Sequence, residues 1–230
     1  MKRMTQQLST WDSAKQAAYR GQHSAASPTF HFLLDASPSM IGDYEMQLRA
    51  SFNMYLAWLK RQASPLSLAE VHCFSTNFTR GPLQPLGMLR PLTPQTYNPH
   101  KGDGTALYRA LGETCTTTPQ AGFHLLCVYT DGRDNRSNEF SWTADKVAAI
   151  LLTLQQNAAW CGVFLGAFPQ ALEVGRTCGF TAGNCLQFSS DRIPDAFRRL
   201  TDATQRYLGA SPQDKKQLAA TGVWSAKEHV

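Results

Sequence analysis

Phe30-His31-Phe32-Leu33-Leu34-Asp35-Ala36-Ser37-Pro38-Ser39-Met40 is an apolar run that closes in an Asp-x-Ser-x-Ser triplet. A strand at the centre of a parallel sheet reads as near-continuous apolar sequence, because both of its faces are covered. Asp35 then falls where the chain leaves the sheet, and side chains at every second position can turn towards one point. One carboxylate and two hydroxyls converge there. All are hard oxygen donors, the set that suits Mg²⁺, Mn²⁺ or Ca²⁺ rather than Zn²⁺ or copper. Taken alone, the triplet also fits an ordinary turn or helix cap, since Asp and Ser are frequent in both.

Two later segments shift that balance. Lys101-Gly102-Asp103-Gly104-Thr105-Ala106-Leu107 is a Gly-rich turn running into a helix, with Thr105 near the junction. Phe123-His124-Leu125-Leu126-Cys127-Val128-Tyr129-Thr130-Asp131-Gly132 is a second apolar strand, and it too ends in an aspartate. The order strand-Asp-x-Ser-x-Ser, Gly-Thr before a helix, then strand-Thr-Asp-Gly resembles the von Willebrand factor A domain with its metal-ion-dependent adhesion site. The resemblance covers about residues 28 to 208. It implies a Rossmann-like α/β fold, an open and mostly parallel sheet with helices on both faces. It also implies a metal site made by Asp35, Ser37, Ser39, Thr105 and Asp131. In the family's usual arrangement the two serines bind directly, while the threonine and the aspartates exchange between direct and water-mediated contact. Movement of the closing helix, here Ile193 to Leu208, often accompanies that exchange in adhesion members. Pro38 stands where many members have Gly; it supplies no ligand and fixes φ near −65°.

The flanking sequence reads as alternating strands and helices. Leu48, Phe52, Tyr55, Leu56 and Leu59 recur at helical spacing, which predicts an amphipathic helix over Asp43 to Gln62. Strands are expected at Leu68 to Ser75, Phe123 to Thr130, Trp160 to Leu165 and Leu186 to Ser189. Helices are expected from Gly104-Thr105 onward, at Trp142 to Asn157, at Leu172 to Cys178 and at Ile193 to Leu208. The proline-rich stretch Arg80 to Pro94 suits an edge strand and a loop, because Pro is excluded from central strands. Such alternation implies right-handed crossovers and a mostly parallel sheet. Residues 1–27 read as a polar arm with a short helical patch around Trp11 to Ala18, residues 28–208 as the domain, and residues 209–230 as a tail.

A chain of 230 residues with 43% hydrophobic composition can bury one full core. The net charge of +5 is modest and its Lys and Arg residues are scattered, so nucleic-acid binding is not expected. No run approaches the roughly 18 apolar residues of a membrane helix, and the basic start Met1-Lys2-Arg3 is not followed by an apolar stretch as in a signal peptide. A cytoplasmic protein is therefore expected. Its six cysteines agree: Cys73, Cys127 and Cys161 lie in apolar runs, and no C-x-x-C pair is present. A bridge between Cys178 and Cys185 is the minor reading in a reducing compartment.

Two carboxylates and three hydroxyls would leave a divalent ion electrophilic, with a coordination position open to an outside ligand. The expected ligand is an Asp or Glu carboxylate on a partner protein, so the chain reads as a Mg²⁺-dependent adaptor or scaffold, with Mn²⁺ or Ca²⁺ as other candidates. A bacterial-type intracellular assembly is the expected setting, with an ATPase among its candidate members. Tyr44, Lys101, Arg133 and Asn135 lie on the rim that would choose the partner. The competing reading is a Mg²⁺-dependent hydrolase. A phosphatase of the haloacid dehalogenase type would need a second Asp where Ser37 stands, and no His lies within either strand-end motif to activate water.

Overall fold

The computed structural model describes residues 27–99, 103–118, 122–157 and 159–224. Lys101 and the helical patch expected around Trp11 to Ala18 lie outside these residues. Among the described residues seven strands form one sheet: β1 Thr29–Asp35, β2 Leu68–Phe74, β3 Phe78–Thr79, β4 Gln84–Pro85, β5 Phe123–Thr130, β6 Ala159–Gly166 and β7 Cys185–Gln187. Their order is β3-β2-β1-β5-β6-β7, with β4 also paired to β2. The β2-β1-β5-β6-β7 pairings are parallel, whereas β3 and β4 run antiparallel along the outer side of β2. The chain moves outward from β1 to β2, then returns to the other side of β1 to continue through β5, β6 and β7. The β1/β5 boundary is thus the point where strand order reverses, and in open α/β sheets ligands bind beyond the carboxyl ends of the strands at that point.

The expected strand in the Arg80 to Pro94 region is only the two-residue β4, followed by one helical turn at Leu86–Met88. The chain can lie this close to β2 because residue 81 is glycine: a Cβ there would sit 2.1 Å from the Val71 carbonyl oxygen.

Among the described residues six helices cover the sheet: α1 Asp43–Gln62, α2 Leu107–Thr117, α3 Ala144–Asn157, α4 Ala171–Thr177, α5 Ile193–Gly209 and α6 Pro212–Thr221. Helix α1 has the bounds its apolar spacing predicts. Asp43 and Glu45 stand in its first turn and Lys60 and Arg61 in its last, matching the helix dipole at both ends. On one face of the sheet, Phe32 meets the edge of Phe52 at 5.2 Å between ring centres, and Tyr55 reaches across to Thr204 of α5 with a 2.9 Å hydroxyl contact. On the other face Leu33, Leu126, Val128 and Phe164 pack against Leu107 and Leu111 of α2 and Val147 and Leu151 of α3.

The structure corrects the expectation of a tail after residue 208. Ser211 caps α6 by accepting from the Asp214 N–H, and Pro212 occupies the first turn, where its missing N–H costs nothing. Ala219, Val223 and Trp224 are buried in the core. Asn184 fixes this segment by accepting from the Val223 N–H at 2.7 Å and donating to the Ala219 carbonyl at 3.3 Å. No disulfide joins any of the six cysteines, so Cys178 and Cys185 are not bridged.

A buried polar cluster lies near the amino-terminal ends of β1, β2 and β5. Glu70 contacts His31 Nδ1 at 2.7 Å and His72 Nε2 at 3.1 Å through the same carboxylate oxygen. His72 Nδ1 accepts from the Gly81 N–H, so its Nε2 carries the proton donated to Glu70. His31 Nε2 lies 3.0 Å from His124 Nδ1, and Trp160 stacks on His124 at 4.4 Å. Nothing in the sequence patterning singles these residues out, because all fall within strand runs that otherwise read as apolar core.

Candidate functional site

Asp35 is the last residue of β1, and Thr130, the last of β5, precedes Asp131. The parallel register that pairs Leu34 with Tyr129 brings these two strand ends side by side. Asp35 is fully buried. Its Oδ1 accepts from the Ser37 N–H at 2.8 Å, which bends the chain back over its own carboxylate, and its Oδ2 accepts from the Thr130 hydroxyl at 2.6 Å. The Tyr97 hydroxyl donates to its backbone carbonyl. From there the oxygens form a chain: Ser37 Oγ lies 3.1 Å from Ser39 Oγ, and Ser39 Oγ donates to Asp131 Oδ1 at 2.8 Å. Pro38 opens the one-turn helix Pro38–Met40, where its fixed φ fits, so it leaves both serines free to turn inward.

Thr105 is 4% exposed and sits two residues before α2. Its backbone is clamped by the loop after β5: the Thr105 N–H donates to Asn135 Oδ1 at 2.8 Å, and its carbonyl accepts from the N–H groups of Asn135 and Arg136. On the other side the Ala106 N–H donates to the Ser75 carbonyl at the end of β2. The loop packs closely here: a Cβ at Gly104 would come within 2.7 Å of Arg136 Cγ and 3.0 Å of Asn135 Oδ1, so those side chains would have to shift. The first turn of α2 has no cap of its own, and the same loop supplies one. Asp134 Oδ2 accepts from the Tyr108 N–H at 2.9 Å, and Ser137 Oγ accepts from the Arg109 N–H at 2.9 Å. The three loops that carry the motif residues are therefore fastened to one another.

Asn135, expected on the partner-facing rim, is exposed, and its side-chain oxygen is engaged with Thr105. Arg133 is exposed and Tyr44 is half-buried against the core. Thr130 and Tyr97, which hold Asp35, and Asp134 and Ser137, which cap α2, were not picked out from the sequence. The one available signal was a hydroxyl, Thr130, closing an otherwise apolar strand.

The electrostatics favour a cation. Burial, and then the negative charge of Asp131, push the Asp35 carboxyl up to about 7, against the hydrogen bonds from Thr130 and Ser37. Burial likewise raises Asp131, opposed by the bond from Ser39. Neither carboxyl has an arginine or lysine among the described residues that act on it. The buried Tyr129 hydroxyl, on the strand leading to Asp131, has no hydrogen-bond partner among the described residues. No three His, Cys, Asp or Glu side chains gather as a metal cluster among the described residues, so hydroxyls must supply part of any shell formed here. Two uncompensated carboxylates joined by serine hydroxyls fit a hard divalent ion of the Mg²⁺ type.

No family model and no curated relative matches the sequence. Solved structures do. The paralog VWA2 of ArnB from Sulfolobus acidocaldarius superposes with a TM-score of 0.54 at 12% identity, over 77% of this chain and 45% of that one. Proximal thread matrix protein 1 from the mussel byssus, in a structure described as having a zinc-occupied adhesion-site motif, superposes at 0.55 and 13% identity, over 78% of this chain and 48% of that one. The pilus adhesin SpaC from Lactobacillus rhamnosus GG gives 0.59 at 10% identity, over 84% of this chain and 31% of that one. The chain thus spans less than half the length of each of these proteins. No helix among the described residues is long and apolar enough to cross a membrane. At these identities the likeness concerns the fold, and the fold is that of the von Willebrand factor A domain.

Proposed function

We propose that this protein is a metal-dependent protein-interaction module. Asp35, Ser37, Ser39, Thr105 and Asp131 would hold a divalent ion of the Mg²⁺ type, with Mn²⁺ or Ca²⁺ as substitutes, and a partner's Asp or Glu carboxylate would complete its shell. The observation that carries this reading is the run of polar contacts from Asp35, through the Ser37 N–H and the Ser37 and Ser39 hydroxyls, to Asp131 at the β1/β5 switch point, with no basic side chain acting on Asp35 or Asp131 among the described residues. When bound, the ion would supply positive charge to an incoming carboxylate. The chain's own residues hold the carboxylates in place, through Thr130 and the Ser37 N–H, and fix the Thr105 loop through Asn135. Among the described residues the hydrolase alternative lacks a base: His31 and His124 are buried near the opposite ends of β1 and β5, and His72, buried in mid-strand, donates its Nε2 proton to Glu70. Six unbridged thiols fit a reducing compartment, which supports an intracellular scaffold, with an ATPase among the partners it could serve.

Calorimetry with Mg²⁺, Mn²⁺ and Zn²⁺, followed by partner capture with Mg²⁺ and with EDTA, tests the reading. Expected are Mg²⁺ or Mn²⁺ affinities in the micromolar to millimolar range, about what a few weakly charged oxygen ligands give. Partner capture should be lost in EDTA and weakened by Thr105→Ala, which removes a neutral ligand without changing charge. Equal capture by wild type and Thr105→Ala, with and without EDTA, would overturn it.

A further inference from the structure

Helix α1 turns an apolar stripe to solvent. Met46 is 55% exposed and Met54 75%, and with the exposed Ala50 and Ala57 they recur at steps of four, four and three residues, along one side of the helix. Met88, 58% exposed, lies beside the C-terminal half of this stripe, where Lys60 donates to the Gly87 carbonyl at 3.2 Å. Helix α5, packed on the same face of the sheet, exposes Arg198, Asp202, Gln205 and Arg206, the side chains expected of a helix that meets water. Helices α3 and α4 each expose one leucine, Leu152 and Leu172, whereas α1 exposes two methionines on one side. Methionine side chains are unbranched and adaptable, which makes such a stripe suited to receiving another helix.

The chain itself places a candidate at one end of the stripe. The Ser27 hydroxyl donates to Ser64 Oγ at 3.0 Å, so the 26 residues that precede Ser27 join the domain just beyond the C-terminal end of α1. Within them, the spacing of Trp11, Ala14 and Ala18 at i, i+3 and i+7 predicts a short amphipathic helix. The eight residues 19–26 can span at most about 28 Å, and the stripe from Met46 to Ala57 is about 17 Å long. The reach is therefore sufficient for the arm to return along α1 in the antiparallel sense. Alanines on both surfaces permit close approach of the two backbones, and an indole over methionine sulfur is a favourable contact.

We propose that residues 1–26 dock along the Met46-Ala50-Met54-Ala57 stripe of α1, with Trp11 seated among its methionines. The docking is independent of the metal site. Limited trypsin digestion of the full-length chain, followed by mass analysis of cleavage after Lys15 and Arg20, reads it directly. Cleavage should be about tenfold slower in wild type than in Met54→Glu or in Trp11→Ala, since cutting tracks the fraction of arm released. Met54→Glu alters an exposed side chain, and Trp11→Ala lies outside the domain, so neither depends on refolding the core. Equal rates in wild type and both variants would overturn the proposal, as would protection that persists in Met54→Glu. Protection that disappears on dilution, in step with a dimer in sedimentation, would also overturn it by assigning the stripe to a second copy.

Discussion

Asp35 sets the cost of the site in the absence of a cation. Its carboxyl is held near 7 in the folded protein by burial and by Asp131, against 3.8 ordinarily. A carboxyl raised on folding favours the native state fully below its unfolded value, and that contribution is lost as pH rises towards 7. In EDTA, the protein should therefore lose on the order of 4 kcal/mol from this group between about pH 4 and pH 8. Asp35→Asn should remove this loss. The amide can keep the Ser37 N–H bond through its oxygen, while the Thr130 hydroxyl turns fully to the Gly132 carbonyl, which already lies 3.1 Å away. Urea unfolding of both proteins at pH 5 and pH 8 in EDTA checks this, and a wild type that is no less stable at pH 8 would contradict it. The strand-end positions of Asp35 and Asp131 and the Gly-Thr turn before α2 were legible in the sequence because such features have local signatures. Thr130, Tyr97 and Asp134 were not, because their roles depend on which strand ends the sheet sets side by side.

Elements were legible where a periodicity runs long enough to be counted. Helix α1 and strand β5 have the bounds their patterns predict, since each buries a full stripe or both faces. Helix α6 was taken for a tail, although Ser211-Pro212 followed by Asp214 is a helix-start signature; its ten residues show little amphipathic pattern, and its anchors are Asn184 and Trp224 rather than a stripe. The polar foot of β1, β2 and β5 was equally hidden. Burial raises Glu70, but the hydrogen bonds from His31 and His72 outweigh it, so the carboxyl ends well below its usual range. A carboxyl lowered on folding stabilises above its unfolded value, and that stability is lost as pH falls. Glu70→Gln should accordingly cost about 2–3 kcal/mol at pH 7 by breaking a buried network, and less than wild type loses should then be lost on acidification from pH 6 to pH 3. Denaturant titration across that range measures both effects.

At the scale of the whole molecule, a cation that binds only the folded state must stabilise it. With Mg²⁺ at one hundred times its dissociation constant the gain is about 2.7 kcal/mol, worth roughly 5–10 °C in Tm for a chain of this size. Asp131→Ala should abolish that shift while leaving a cooperative transition, and scanning calorimetry with Mg²⁺ or EDTA tells the two apart. The flanks of the sheet bear on how such a protein behaves when many copies are crowded together. β3 and β4 have two residues each, β4 ends in Pro85, and β7 has three. Open strand edges template pairing between chains, and short or proline-bearing edges suppress it. The sheet thus offers neighbours no long ladder on either side, so copies gathered at high local density can stay separate and soluble while the crevice at its carboxyl end remains free to engage.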